Sequence, residues 1–66
     1  MVSNKLKGKR ITKSLTQKKM AVLLGMSEVS YCRKESGKRE FTCSEIIKVT
    51  KILELTNQEV IEIFLT

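Results

Sequence analysis

Two helix-start signals of the same design occur in the second half of the chain, and they constrain its fold more than any other feature. Thr42 stands three residues before Glu45, and Thr56 stands three residues before Glu59. In such a capping box the hydroxyl accepts a hydrogen bond from the glutamate amide, and the carboxylate accepts one from the threonine amide. Each box therefore predicts the beginning of a short helix.

Three further helices are predicted from glycine positions and from apolar residues spaced three and four apart. The chain has no proline, and it lacks the alternation of apolar and polar residues that is typical of strands. Thr16 and Ser27 suit helix N-caps, and Gly25 suits the left-handed residue that ends a helix. These signals predict an all-α fold, a compact bundle of five short helices. The expected helices are 4–13, 17–24, 28–36, 43–54 and 57–65.

The size of the chain predicts one domain over residues 1–66, near the lower limit at which a hydrophobic core supports a fold alone. The first residues are basic and polar rather than the apolar core of a signal peptide, and no apolar run approaches the length of a membrane span. We therefore expect a cytoplasmic protein without a membrane partner. Cys32 and Cys43 are expected to stay reduced there.

The charge of the chain is unevenly distributed around a net value of +6. Residues 1–20 carry seven basic residues and no acid, whereas residues 43–66 carry two basic and four acidic residues. A basic face opposite a neutral or acidic one favours a polyanionic partner, because many phosphate contacts add together. From charge alone, a merely solvated basic surface is an equally good interpretation.

Residues that perform catalysis or bind metals are scarce. The chain has no histidine, and its two cysteines are too few for a structural zinc site. It also lacks a glycine-rich phosphate loop, usefully spaced paired carboxylates, and a nucleophile with a base beside it. We therefore expect no enzyme, no metal, no cofactor and no small-molecule substrate.

The segment around Gly25 has the pattern of a helix-turn-helix. This motif needs a small residue where the second helix crosses the first, a glycine at the sharp turn, and an apolar residue after it. Ala21, Gly25 and Met26 meet these needs at suitable spacing. The helix after the turn has only one large apolar residue, Tyr31, so we expect its exposed face to carry the function.

Residues on both sides of the turn extend this pattern. They are Leu15-Thr16-Gln17, Ala21, Leu24-Gly25-Met26-Ser27, Tyr31, Glu35, Gly37-Lys38 and Ile52-Leu53. Through them, residues 6–64 resemble the phage repressor and Cro family of helix-turn-helix regulators, the xenobiotic-response-element type. The resemblance implies a transcriptional regulator that binds a double-stranded DNA operator, usually as a homodimer on a two-fold related site.

The resemblance also implies which residues contact DNA bases. It makes 28–36 the recognition helix, lying in the major groove. Arg33 can bond guanine through two nitrogens, Glu28 can accept from cytosine, and Val29 can meet a thymine methyl group. The full set of expected base contacts is Ser27, Glu28, Val29, Cys32 and Arg33.

Other residues are expected at the DNA backbone. Gln17 and Lys18 open the second helix, where free amides suit a phosphate, and Lys5, Lys7 and Lys9 are expected to add attraction without fixing register. The expected phosphate contacts are Arg10, Gln17, Lys18, Ser36, Lys38 and Arg39. The family also pairs an arginine of the first helix with a glutamate of the recognition helix, which implies a structural ion pair between Arg10 and Glu35.

The last helix carries more apolar residues than a short terminal helix needs. Ile61, Phe64 and Leu65 are the expected homodimer interface. The same residues are compatible with an alternative function, an antitoxin or other protein-interaction module on the same fold. The absence of acidic residues from 1–20 favours DNA over this alternative.

Overall fold

The computed structural model describes residues 4–65, and all of the regular structure in this part of the chain is helical. The prediction of an all-α bundle of five short helices is confirmed, with ends that differ by at most one residue from those expected. The first three and the last residue of the predicted domain 1–66 lie outside the described residues. The helices are α1 (Asn4–Thr12), α2 (Gln17–Leu24), α3 (Glu28–Glu35), α4 (Cys43–Leu53) and α5 (Asn57–Phe64).

Side-chain caps define the beginnings of four helices. Thr16 and Ser27 accept hydrogen bonds from the amides three residues later, at 3.0 and 3.1 Å. Thr42 and Thr56 form complete capping boxes, in which the hydroxyl and the glutamate carboxylate each accept from the other residue's amide. Each cap satisfies amides that have no acceptor within the helix, so these four predicted N-caps are confirmed.

The turn between α2 and α3 depends on a left-handed residue. Gly25 has φ +72°, and the amide of Met26 donates to the carbonyl oxygen of Ala21 at 3.0 Å. Glycine adopts this conformation without the steric cost that a side chain adds. The chain therefore reverses within Gly25, Met26 and Ser27, and α2 packs directly against α3.

A single hydrophobic core receives residues from every helix. α2 also packs against α4 and contributes Met20, Ala21 and Leu24. The ring of Phe41, from the loop before α4, contacts Tyr31 and Phe64 edge to face, with centroids 6.2 and 5.5 Å apart. The buried apolar residues are Leu6, Met20, Ala21, Leu24, Tyr31, Phe41, Val49, Leu53, Leu55 and Ile63. Among the described helices, none has the length and apolar character that crossing a membrane requires.

Candidate nucleic-acid interface

The two sides of α3 differ sharply in burial. Tyr31, Lys34 and Glu35 are buried against the bundle. Positions 28 and 32, and likewise 29 and 33, are four residues apart and therefore lie on the same side of the helix. These four positions form the outward face and are all exposed. This face consists of four of the five residues expected to contact bases. The fifth, Ser27, is also exposed, but its Oγ is engaged as the cap of α3.

A shallow groove runs along this outward face. It has a volume of about 400 Å³ and is lined by Glu28, Val29, Cys32 and Arg33 together with Gln17 and Lys38. Gln17 is the first residue of α2, and Lys38 belongs to the loop after α3. Folding therefore brings four expected base contacts next to two expected phosphate contacts. Val29 is the most apolar point of the groove and is 61% exposed.

Beneath this face, the Glu35 carboxylate joins three helices. Nε and Nη2 of Arg10 donate to its two oxygens at 2.8 and 3.2 Å. The hydroxyl of Tyr31 donates to Oε2 at 2.6 Å, and Nε2 of Gln17 donates to Oε1 at 3.1 Å. Arg10 and Glu35 are each only 6% exposed. The structure thus places Arg10 against Glu35, as the resemblance implied, and adds two donors that the sequence analysis missed.

The pKa shifts of this network agree with its geometry. Burial raises the pKa of Glu35, but hydrogen bonds from Arg10, Tyr31 and Gln17 outweigh burial and leave that pKa below the ordinary value. The bond to Glu35 raises the pKa of Arg10. Burial, followed by the bond to Glu35, raises the pKa of Tyr31 far above its ordinary value. At neutral pH the pair is therefore charged, and the tyrosine keeps the proton that it donates.

The role of Arg10 as a phosphate contact is corrected by this geometry. Besides the two bonds to Glu35, its Nη1 donates to the carbonyl oxygen of Leu15 at 2.7 Å. A buried guanidinium with all three nitrogens engaged is not available to a DNA backbone. The side chain of Gln17 is also partly committed, although its backbone amide lies in the first turn of α2, where helix amides lack internal acceptors.

The loop after α3 folds back onto the end of that helix. The amide of Lys38 donates to the carbonyl oxygen of Arg33 at 2.9 Å, and Oγ of Ser36 donates to the same oxygen at 3.0 Å. Gly37 has φ +85°, which permits this tight path. Lys38 and Arg39 are exposed and have no acidic partner among residues 4–65. The loop therefore presents two cations without an acidic partner in the described part of the chain, and Lys38 lines the groove.

A second partly buried ion pair was not predicted. Nζ of Lys34 lies 2.6 Å from Oε1 of Glu45, and the same oxygen accepts from the amide of Thr42. Burial raises the pKa of Glu45, but the bonds from Lys34 and Thr42 outweigh it and leave the pKa lowered. The capping box was visible in the sequence, whereas its lysine partner lies across a loop and gave no local signal. This pair joins both ends of the 36–42 loop.

Lysines of α1 and the residue just after it pair with acidic residues in the C-terminal part of the chain. Nζ of Lys13 lies 2.7 Å from Glu54, Nζ of Lys5 lies 3.6 Å from Glu62, and Lys9 pairs with Glu59. The pairs with Lys13 and Lys9 lower the pKa values of Glu54 and Glu59. The expected DNA attraction of Lys5 and Lys9 is therefore offset by neighbouring negative charge.

The expected dimer residues on the last helix differ in exposure. Ile61 is 44% exposed and Leu65 is 70% exposed. Phe64 is half-buried and packs on Phe41, so much of its ring already serves the core. An apolar groove of about 300 Å³ lies between α4 and α5. It is lined by Ile46, Ile47, Thr50, Lys51, Asn57 and Val60.

The fold and this surface together define a small all-α protein with a capped helix, whose mixed polar face adjoins a cation that has no acidic partner among residues 4–65. The chain belongs to the family described as a protein of unknown function, DUF739, whose model matches residues 3–66. No curated protein matches the chain.

Proposed function

We propose that this protein is a sequence-specific double-stranded DNA-binding transcriptional regulator of the helix-turn-helix type, similar to the phage repressor and Cro family. In this proposal α3 is the recognition helix and lies in the major groove. The observation that carries the proposal is the groove along α3, where exposed Glu28, Val29, Cys32 and Arg33 are flanked by Gln17 and Lys38.

The dimensions and chemistry of α3 suit this task. An α-helix with its side chains is about 10–12 Å across, which fits the major groove of B-DNA, about 12 Å wide, and the eight residues of α3 present about two turns to it. Arg33 offers two donors to guanine, Glu28 accepts from the amino group of cytosine, and Val29 contacts a thymine methyl group. The mixture of donor, acceptor and apolar groups favours discrimination between bases over general attraction to a polyanion.

The residues around α3 suit the DNA backbone. Lys18 at the beginning of α2 and Lys38 and Arg39 in the loop after α3 are exposed cations on the segments that precede and follow α3. The amides that open α2 supply uncharged donors to a phosphate. Such contacts fix the orientation of the protein on the duplex, while the outward face of α3 distinguishes sequences.

The hydrogen bonds to Glu35, on the buried side of α3, also support the proposal. Arg10 from α1, Gln17 from α2 and Tyr31 from α3 all donate to one carboxylate. This arrangement limits rotation of α3 relative to α1 and α2. A recognition helix held in this way keeps its side chains at the positions where base edges lie, which is the kind of support that a precise binding surface needs.

We propose that the protein binds its operator as a homodimer through Ile61, Leu65 and the exposed part of Phe64. A two-fold dimer matches a two-fold related DNA site. With DNA as its target, the protein would work in the cytoplasm. The apolar groove between α4 and α5 favours a second candidate function, an antitoxin or other protein-interaction module that docks a partner protein at this end of the bundle.

Selection from a pool of randomised duplex DNA at two salt concentrations tests the main proposal. We expect a short, two-fold symmetric motif and an affinity that falls steeply as salt rises. Arg33→Ala is expected to relax the preference at one position of each half-site, at a cost of about 1–3 kcal/mol. Arg39→Ala is expected to weaken all sequences alike and to reduce the salt dependence.

Lys51→Ala is the matched control, because Lys51 is an exposed cation in the groove between α4 and α5 rather than beside α3. We expect it to leave the motif and its affinity unchanged. Retention of DNA without any enriched motif at physiological salt would contradict specific recognition. A defined complex with a protein partner that Ile47→Asp abolishes would instead support the interaction module, because Ile47 is exposed and lines the groove between α4 and α5.

A further inference from the structure

The lysines of α1 fall on two opposite sides of the helix. Lys5 and Lys9, with Lys13 just after the end of α1, are four residues apart and share one side, because four residues make slightly more than one turn. Lys7 lies two residues from Lys5 and from Lys9, roughly 200° around the helix axis from each. These lysines are close together in the sequence, but the helix places them on two different sides.

The side with Lys5, Lys9 and Lys13 faces acidic residues. A cavity of about 290 Å³ between α1 and α5 is lined by Lys5 and Lys9 together with Glu59 and Glu62. Ion pairs connect Lys5 to Glu62 and Lys9 to Glu59 across it. A phosphate approaching this side would meet a carboxylate beside each of these cations. This side of α1 therefore stabilises the contact with α5 rather than recruiting a polyanion.

Lys7 lies on the side of α1 that adjoins the recognition helix. A second groove of about 220 Å³ is lined by Asn4, Lys7, Gln17, Cys32, Glu35 and Ser36. Gln17 and Cys32 also line the groove along α3, so the two grooves adjoin. Glu35 does not attract Lys7 into a pair, because Arg10, Tyr31 and Gln17 already occupy its oxygens. Lys7 is exposed and has no acidic partner among residues 4–65.

We infer that Lys7 binds a backbone phosphate of the DNA at the edge of the recognition surface, and that Lys5 and Lys9 do not. This inference rests on the proposed function and assigns to α1 a contact with a fixed position on the duplex. The side-chain amide of Asn4 lies in the same groove and supplies a further donor to that phosphate. Lys7 thereby adds a cation on the α1 side of the recognition surface, while Lys38 lies in the groove along α3.

Comparison of Lys7→Gln with Lys9→Gln tests the inference, because the two changes remove the same charge from the same helix. The affinity of each variant for the selected duplex would be measured by fluorescence anisotropy over a range of potassium chloride concentrations. Each lost phosphate contact reduces the slope of log K against log salt by about 0.9, which corresponds to roughly an eightfold loss of affinity at about 0.1 M salt. Circular dichroism of both variants verifies that they are folded.

We expect Lys7→Gln to reduce the slope by about 0.9 for each bound protomer, and Lys9→Gln to leave it unchanged. In ethylation interference, one phosphate per half-site at which ethylation blocks binding of the wild-type protein is expected to have no effect on Lys7→Gln. The same phosphate is expected to remain sensitive with Lys9→Gln. Equal reductions in both variants would overturn the inference, since α1 would then act by general attraction. An unchanged slope for Lys7→Gln, when the wild-type protein binds the duplex, would also overturn the inference. Failure of the wild-type protein to bind duplex DNA would overturn the proposed function as well.

Discussion

Replacement of Glu35 by glutamine is expected to be among the most damaging single changes to this fold. Glutamine has nearly the same shape, so the variant removes charge and acceptor strength rather than packing volume. Arg10 would then keep its bond to the Leu15 carbonyl oxygen but lose its carboxylate partner. Its guanidinium would remain inside the bundle, where only 6% of the residue is exposed.

The magnitude follows from that burial. Removing one partner of a buried ion pair costs about 3–5 kcal/mol, because the remaining charge is left uncompensated. A domain of this size has a total unfolding free energy of about 3–10 kcal/mol, at roughly 0.05–0.15 kcal/mol per residue. Each kcal/mol lost from the free energy of unfolding lowers the melting temperature by about 4–8 °C in a domain of this size. Glu35→Gln should therefore lower the melting temperature by at least about 12 °C.

Urea and thermal unfolding at pH 7, followed by circular dichroism, measure this effect. Glu62→Gln is the matched control, because Glu62 pairs with Lys5 at 3.6 Å with its side chain 40% exposed. An exposed pair of this kind contributes about 0.2–1 kcal/mol. If Glu35→Gln cost no more than Glu62→Gln, the network beneath α3 would not stabilise the fold, and our reasoning about Arg10 would be refuted.

Two further predictions concern acid and glycine. Stability should change little from pH 7 down to the ordinary glutamate pKa of 4.5 and should fall as the pH drops below it, because Glu35 and Glu45 have lowered pKa values in the folded state and lose their partners when protonated. Urea midpoints from pH 7 to pH 2 measure this, and a midpoint that stays constant throughout would contradict it. Gly25→Ala should destabilise by about 1–2 kcal/mol because φ is +72°, while Gly8→Ala should stabilise by about 0.5–1 kcal/mol within α1. Neither added methyl group meets an atom within 4 Å. If chemical unfolding gave changes in the free energy of unfolding of the same sign for both variants, backbone conformation would not decide these effects.

Much of the helical framework was predictable because its signals are local. Thr16, Ser27, Thr42 and Thr56 cap helices through atoms three residues away. Gly25 ends α2 through its own backbone conformation. The exposed face of α3 was also predictable, since its one large apolar residue, Tyr31, identified the side that is buried. Interactions of this range depend on neighbouring residues, which the sequence displays directly.

The partners of charged side chains were less predictable, and the contrast between Arg10 and Lys34 shows why. The Arg10–Glu35 pair followed from a family resemblance, whereas nothing in the local pattern joined Lys34 to Glu45. The same limit hid the bond from Gln17 to Glu35 and the contact of Phe64 with Phe41.

The amino-acid sequence by itself determined where the helices begin and end and which side of α3 is exposed. Only the tertiary structure decided that Lys5 and Lys9 meet acidic residues of α5 while Lys7 joins the groove beside α3. Helix periodicity separates these lysines onto two sides, but the packing of α1 between α5 and α3 supplies their different neighbours. Coulombic interactions depend on distance in space, and a sequence records distance only along the chain.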